Sequence, residues 1–310
     1  FTVSGPGALN IATAMGQALQ DSVPMLVISA DNARARLGLG EGRLHETRDL
    51  QAAMAECSVW SHTLMSPEEL PRVLARAFAI FTSQRPGPVH IAIPIDVITA
   101  TADDVDRKPW ALPSRPGPDP ASVQRAAQLL NASERPVIAL GGGASDAARE
   151  VAQLVERVDA PVTLTHNAKG LLAADHPLLV ASSPSYEPVR ELYRNADIVL
   201  GIGTEFGETD YDFFFDGKFA LGGKLVRIDI DAAQLTRNVR PEVALCADAA
   251  LALSALVPLL SPTDRQGADR TAQANRELAS IDDDNYQLFL DSLQLALPGA
   301  ALIGDSTQPA

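Results

Sequence analysis

The chain has 310 residues, 46% hydrophobic and 21% charged, the balance of a globular protein with apolar material for more than one core. Its formal charge of -14 argues against nucleic acid or an anionic membrane as partner. Cys57 and Cys246 lie too far apart in the sequence to suggest a disulfide framework or a thiolate metal site, so a reducing cytoplasm is the expected compartment. No apolar run reaches the roughly 18 residues of a membrane span, and Phe1-Thr2-Val3 lacks the basic start of a signal peptide.

Phe1-Thr2-Val3 runs into the turn Ser4-Gly5-Pro6-Gly7, and a helical pattern follows over Ala8–Leu19. Pro24–Ser29 is a continuous apolar run, as expected of a strand buried on both faces. Glu68–Phe81 has Leu70, Val73, Leu74, Ala77 and Phe78 on one side, which predicts an amphipathic helix. After Arg85-Pro86-Gly87-Pro88 comes a second strand, Val89–Ile95. The pattern predicts part of an α/β sandwich on a parallel sheet over residues 1–108.

Residues 109–120 hold five prolines and predict a semi-rigid, extended linker. Beyond it the sequence predicts helix Ala121–Asn131, strand Val137–Leu140, the turn Gly141-Gly142-Gly143 and helix Ala144–Val158. Strands at Val162–Thr165, Ile198–Ile202 and Leu225–Ile230 follow, so residues 121–262 are expected to form a doubly wound parallel α/β domain. Residues 263–284 turn polar and are expected as a second linker. Helix Asn285–Leu297 and strand Ala301–Ile303 then begin a third α/β unit over 285–310.

Among local motifs Ser4-Gly5-Pro6-Gly7-Ala8-Leu9-Asn10 is the sharpest. Two glycines around a proline make a tight turn, and the helix behind it directs free N–H groups forward. Any strand-to-helix turn in an α/β protein could read this way, so the motif alone leaves a structural role open.

Phe1–Asn10 is similar to the turn of the pyrimidine-binding domain in thiamine-diphosphate enzymes of the acetolactate synthase and 2-oxo acid decarboxylase family. The likeness continues in order through Pro24–Ser29, Arg85–Val89, Ile93–Val97, Arg135-Pro136-Val137, Gly141–Ala144, Ala168-Lys169-Gly170, Asp175–Leu178 and Ile228–Asp231. It implies a three-domain architecture of parallel-sheet α/β domains, truncated here at both ends, with thiamine diphosphate and Mg2+ as cofactors of the intact enzyme. The substrate would be a small 2-oxo acid, and the family's shared active sites imply a homodimer or homotetramer. A glutamate that hydrogen-bonds the aminopyrimidine would precede Phe1, and the metal-holding Gly-Asp-Gly…Asn would follow Ala310. Ser4, Gly5, Pro6, Gly7 and Asn10 are the expected cofactor contacts. Gly304–Gln308 resembles the first loop on the diphosphate side, which adds Asp305, Ser306, Thr307 and Gln308. No metal ligand is expected within the chain.

Arg43–Asp49 matches the region where acetolactate synthases carry Phe-Gln-Glu beside the thiazolium, with Leu44 for the Phe and His45 for the Gln. A histidine there could exchange a proton with substrate; a structural loop histidine is the alternative, and Glu46 reads as a helix cap. Trp60-Ser61-His62 falls where those enzymes read Thr-Lys-His, so His62 is a second catalytic candidate, with domain packing as its alternative. Loss of the Gln and Lys favours decarboxylation over acetolactate formation.

The Gly141–Gly143 turn could admit a dinucleotide phosphate, but it lacks the full G-x-G-x-x-G pattern. Ser182–Tyr186 and Glu205–Asp210 replace the family's flavin-contacting Gly-Met-His-Gly and Arg-Phe-Asp-Asp-Arg, so tightly bound FAD is not expected. Glu205, Glu208, Asp210, Asp212 and Asp216, with Tyr211, Phe213, Phe214 and Phe215 interleaved, read as a solvated loop over an aromatic patch. The sharper alternative gives Asp210 and Asp212, with Leu44, to a substrate pocket for a guanidino 2-oxo acid. A flavin- or nucleotide-binding module and a catalytically silent structural module complete the range of readings.

Overall fold

A computed structural model describes residues 1–211, 217, 219–281 and 284–300. The chain folds around two parallel sheets. In the first, Thr2 pairs with Ser29 before Pro6 starts helix α1 (Pro6–Gln20), the position where its fixed φ and missing N–H suit a helix. There follow β1 (Met25–Asp31), α2 (Leu50–Ala55), β2 (Trp60–Thr63), α3 (Leu70–Ser83), β3 (Pro88–Pro94) and the short α4 (Ile95–Ile98). The strand order is β1-β3-β2, with Met25 opposite Pro88 and Trp60 opposite Val89. Val73, Ala77 and Ile80 of α3 cover Val89 and Ile91 on one face. On the other, Ala8 and Met15 of α1 join Leu50 and Met54 of α2 over Val27 and Ala92.

Within this sheet His90 is fully buried. Its Nε2 lies 2.7 Å from Ser29 Oγ on β1 and its Nδ1 lies 2.9 Å from Ser61 Oγ on β2. Both ring nitrogens are thus satisfied, and burial holds the imidazole's pKa down at about 4.

The proline-rich stretch is extended and pinned at several points. Ser83 Oγ donates to Pro113 O (3.2 Å). Arg115 bridges Asp146 and Asp248 at 2.8 Å each, and Asp248 N donates to Pro116 O (2.9 Å). Helix α5 (Pro120–Asn131) begins where Asp119 caps Ser122 N.

The second sheet comprises β4 (Pro136–Leu140), α6 (Ala148–Val158), β5 (Val162–Leu164), α7 (Glu187–Arg194), β6 (Ile198–Ile202), α8 (Glu208–Tyr211), β7 (Lys224–Asp229), β8 (Val243–Cys246) and α9 (Ala249–Leu256). Its order, β5-β4-β6-β7-β8, with parallel pairing throughout, is that of a doubly wound fold. Helices α5, α6 and α9 bury one face, and α7 with Phe206, Tyr211 and Phe219 buries the other. Tyr211 belongs to that core: its hydroxyl lies 3.1 Å from Thr204 Oγ1 and its ring packs on Phe206 and Phe219.

Two sequence expectations need correction. Residues 263–284 are not a plain linker, because α10 (Gly267–Ala279) packs there with Thr271 and Ala274 buried. The preceding Arg265 donates to Ser133 O, Val158 O and Leu130 O, each at 2.9 Å, and so satisfies carbonyls at the ends of α5 and α6. Helix α6 begins at Ala148 and not Ala144, because Gly142–Ala147 first forms a tighter 3-10 turn. Helix α11 (Asp284–Ala296) matches its expectation; Ala301–Ile303 lies outside the described residues. No described helix is long and apolar enough to cross a membrane.

Candidate active site at the ends of the first sheet

Thr2 brings the Ser4–Gly7 turn to the C-terminal end of β1, the end where open parallel sheets place ligands. Gly5 has φ 56°, and a Cβ there would stand 2.4 Å from the carbonyl oxygen of His45. Only glycine meets both demands. A Cβ on Gly7 would meet Val3 Cγ2 at 2.5 Å. Ser4 is half-buried, Pro6 and Asn10 are exposed, and this rim faces outward.

His45 joins that turn through its backbone, held at φ 56°, while its side chain is exposed. Leu44 beside it is 80% exposed. Glu46 does not cap a helix. Its carboxylate receives Gly40 N (2.6 Å), Arg43 N (3.0 Å) and Glu41 N (3.4 Å), and these hydrogen bonds, Arg43's foremost, lower its pKa. Glu46 thus fixes the loop that presents Leu44 and His45.

His62 is placed elsewhere. β2 lies three strand positions from Thr2, about 14 Å across the sheet at ~4.8 Å per strand. The imidazole stacks on Trp60 at 5.5 Å and contacts Glu69 Oε2 at 3.3 Å. Arg76 covers Trp60 from 4.2 Å. The structure brings Ser4–Gly7 and His45 together and leaves His62 in a packed cluster at the sheet edge.

The sequence reading passed over the end of β1 itself. Asp31 and Asn32, with Thr63 and Met65 at the end of β2 and residues of the 37–52 segment, border a cavity of about 430 Å³. Two polar residues closing an apolar strand run were the available signal.

At the corresponding end of the second sheet the glycine turn packs against its own chain. A Cβ on Gly141 would lie 2.1 Å from Gly203 O, and Gly143 N donates to that same oxygen at 3.1 Å. Asp210 Oδ1 accepts from His166 N (3.0 Å) and contacts His166 Nδ1 (2.7 Å). Glu205 pairs with Arg85 at 2.5 Å, tying the two halves together. Buried Arg227 donates to Thr204 O and Arg237 O, and burial lowers its pKa. Asp212, Asp305, Ser306, Thr307 and Gln308 lie outside the described residues. No metal-binding cluster of His, Cys, Asp or Glu occurs among the described residues.

Residues 1–54 match the family described as thiamine pyrophosphate enzyme, N-terminal TPP binding domain, and residues 123–256 match its central domain. The chain belongs to the thiamine pyrophosphate (thiamine diphosphate) enzymes. It is 41% identical over 316 residues to the Pseudomonas aeruginosa protein named "Probable 2-ketoarginine decarboxylase AruI", covering 99% of this chain and 56% of that protein. It is 32% identical over 271 residues to the Escherichia coli acetolactate synthase isozyme 1 large subunit, covering 84% and 46% of the two chains. A Mycobacterium smegmatis structure described as "a putative thiamin diphosphate-dependent enzyme" shares the fold, with TM-score 0.71, 22% identity and coverage of 85% and 51%. The chain spans about half the length of these curated relatives. The Ser4–Gly7 turn demands glycine because a Cβ on Gly5 or Gly7 would meet its own chain, at His45 and Val3.

Proposed function

We propose that the protein carrying this chain decarboxylates a 2-oxo acid with a cationic side chain, using thiamine diphosphate and Mg2+. The observation that carries this reading is the likeness along nearly the whole chain to the P. aeruginosa decarboxylase. When bound, thiamine diphosphate supplies the electron sink for loss of CO2. Ser4, Gly5, Pro6, Gly7 and Asn10 would hold its pyrimidine side, and Asp305, Ser306, Thr307 and Gln308 its diphosphate side. His45 would give or take the substrate proton at its exposed imidazole, with Leu44 as an apolar wall. A homodimer or homotetramer in a reducing cytoplasm completes the reading, supported by the family's shared sites and by cysteines that are both free.

No tightly bound FAD belongs to this proposal. Gly143 N is already engaged by Gly203, and Glu205, Glu208 and Asp210 would repel a diphosphate. Absorbance of a purified flavin would argue the other way. The second reading, an acetolactate synthase-type carboligase, is favoured by the E. coli likeness.

The test is CO2 release and product analysis by the full-length protein loaded with thiamine diphosphate and Mg2+. The expected result is an aldehyde from 5-guanidino-2-oxopentanoate, with His45→Gln lowering kcat on the order of 100-fold. Acetolactate from pyruvate would favour the carboligase. Failure to release CO2 from any 2-oxo acid, with cofactor bound, would sink both readings.

A further inference from the structure

Buried polar groups ordinarily have partners, and the end of β1 departs from that rule at two successive residues. Asp31 is 8% exposed, and among the described residues its one hydrogen bond comes from the N–H of Asn32, at 2.7 Å. Among the described residues no Lys, Arg or His forms an ion pair with it, and the charge that shifts its pKa is that of Asp49. Burial first, and Asp49 second, raise the Asp31 pKa. The Asn32 Nδ2 atom is shielded from solvent and has no acceptor among the described residues. Both residues border the 430 Å³ cavity, which Arg48, Asp49 and Gln51 also line, so two carboxylates stand there against one arginine. That volume lies within the ordinary range for small-molecule sites.

The loop that walls this cavity also touches the cofactor turn. A Cβ on Gly38 would meet Arg48 O at 2.8 Å, and seven residues further His45 packs on Gly5. Cavity and turn therefore share one loop. Asp210, the acid expected to meet a cationic substrate, is less available because His166 already occupies it.

We propose that the cavity at the end of β1 receives the guanidinium head of the substrate, with Asp31 as its counter-ion and Asp49 adding negative potential. The inference rests on the decarboxylase reading and assigns its side-chain selectivity to this site. A planar guanidinium can offer two parallel N–H donors to one carboxylate, a match that a neutral side chain lacks. A guanidinium carries no acceptor, so the unmet Asn32 donor would be met by a water entering with the substrate.

The test compares full-length enzyme, loaded with thiamine diphosphate and Mg2+, on 5-guanidino-2-oxopentanoate and on neutral 2-oxohexanoate. Asp31→Asn should lower kcat/KM for the guanidino acid on the order of 100-fold, mainly through KM, and change the neutral acid by less than about threefold. Asp49→Asn keeps a good helix cap while removing the charge, and should cost the guanidino acid alone roughly threefold to tenfold. It carries the test if Asp31→Asn fails to fold by circular dichroism. Equal losses on both substrates, or none on the guanidino acid, would overturn the proposal. If no 2-oxo acid is turned over, the decarboxylase reading fails separately. Calorimetric titration with 4-guanidinobutyrate then decides: binding weakened by Asp31→Asn upholds the site, and absence of binding or equal binding overturns it.

Discussion

The two sheets end differently, although both are parallel and both are wrapped by helices. At the end of the second, backbone closes on backbone: Gly141 and Gly143 pack against Gly203, Asp210 is held by His166, and Arg227 is spent on two carbonyls. At the end of the first, a cavity remains, bordered by a buried carboxylate and an amide without complete partners. Strand order alone nominates the crevice of the second sheet, where the doubly wound order reverses. Polar satisfaction points to the first sheet instead. Topology offers places for ligands, and unmet hydrogen bonds distinguish the places left open.

The comparison can be broken most forcefully at the closed end. Gly141→Ala sets a Cβ against Gly203 O and should destabilise the protein by more than about 3 kcal/mol in urea titration. An alanine tolerated at that position would mean the turn has room for a ligand after all.

A second effect, about 3 kcal/mol at most, tests whether openness at the first sheet is confined to its end. His90 is satisfied and neutral, with its pKa lowered from 6.5 to about 4. The unfolded chain therefore binds the extra proton first, and stability falls as pH drops from 6.5 towards 4. Above pH 6.5 the contribution is fully present. Thermal melts across that window should show a slope that His90→Gln removes; a wild-type profile without it would contradict a buried neutral imidazole.

The smallest effect has the opposite sign. Asp31 carries a raised pKa, so its charged form opposes folding near neutral pH. Asp31→Asn should leave the melting temperature unchanged or raise it slightly, by the equivalent of about 1 kcal/mol or less. A large drop would recast Asp31 as a structural anchor.

Much of this fold was legible because Pro24–Ser29, Val137–Leu140 and Ile198–Ile202 are continuous apolar runs, the mark of strands covered on both faces. β2 escaped notice because Trp60-Ser61-His62-Thr63 is short and polar at alternate positions, and its place at the sheet edge asks no more of it. Helix α10 was hidden by polar composition, since its approach is anchored by a buried arginine and not by an apolar stripe. The Ser4–Gly7 turn announced itself through glycine and proline, residues whose backbone limits can be read one at a time. Asp31 could not be read that way. An aspartate after a strand is usually solvated, and this one is buried beside a cavity whose other wall comes from the distant 37–52 segment.

The contact between Gly5 and His45 has a wider consequence. A Cβ on Gly5 would meet the carbonyl oxygen, the carbonyl carbon and Cβ of residue 45, atoms that nearly every amino acid supplies, while the imidazole is exposed. The backbone at 45 is a socket, and its side chain an interchangeable fitting. Unbranched residues that tolerate a left-handed backbone could replace the histidine without moving the turn. Within this architecture, one substitution could alter proton chemistry beside the cofactor turn while leaving the scaffold in place.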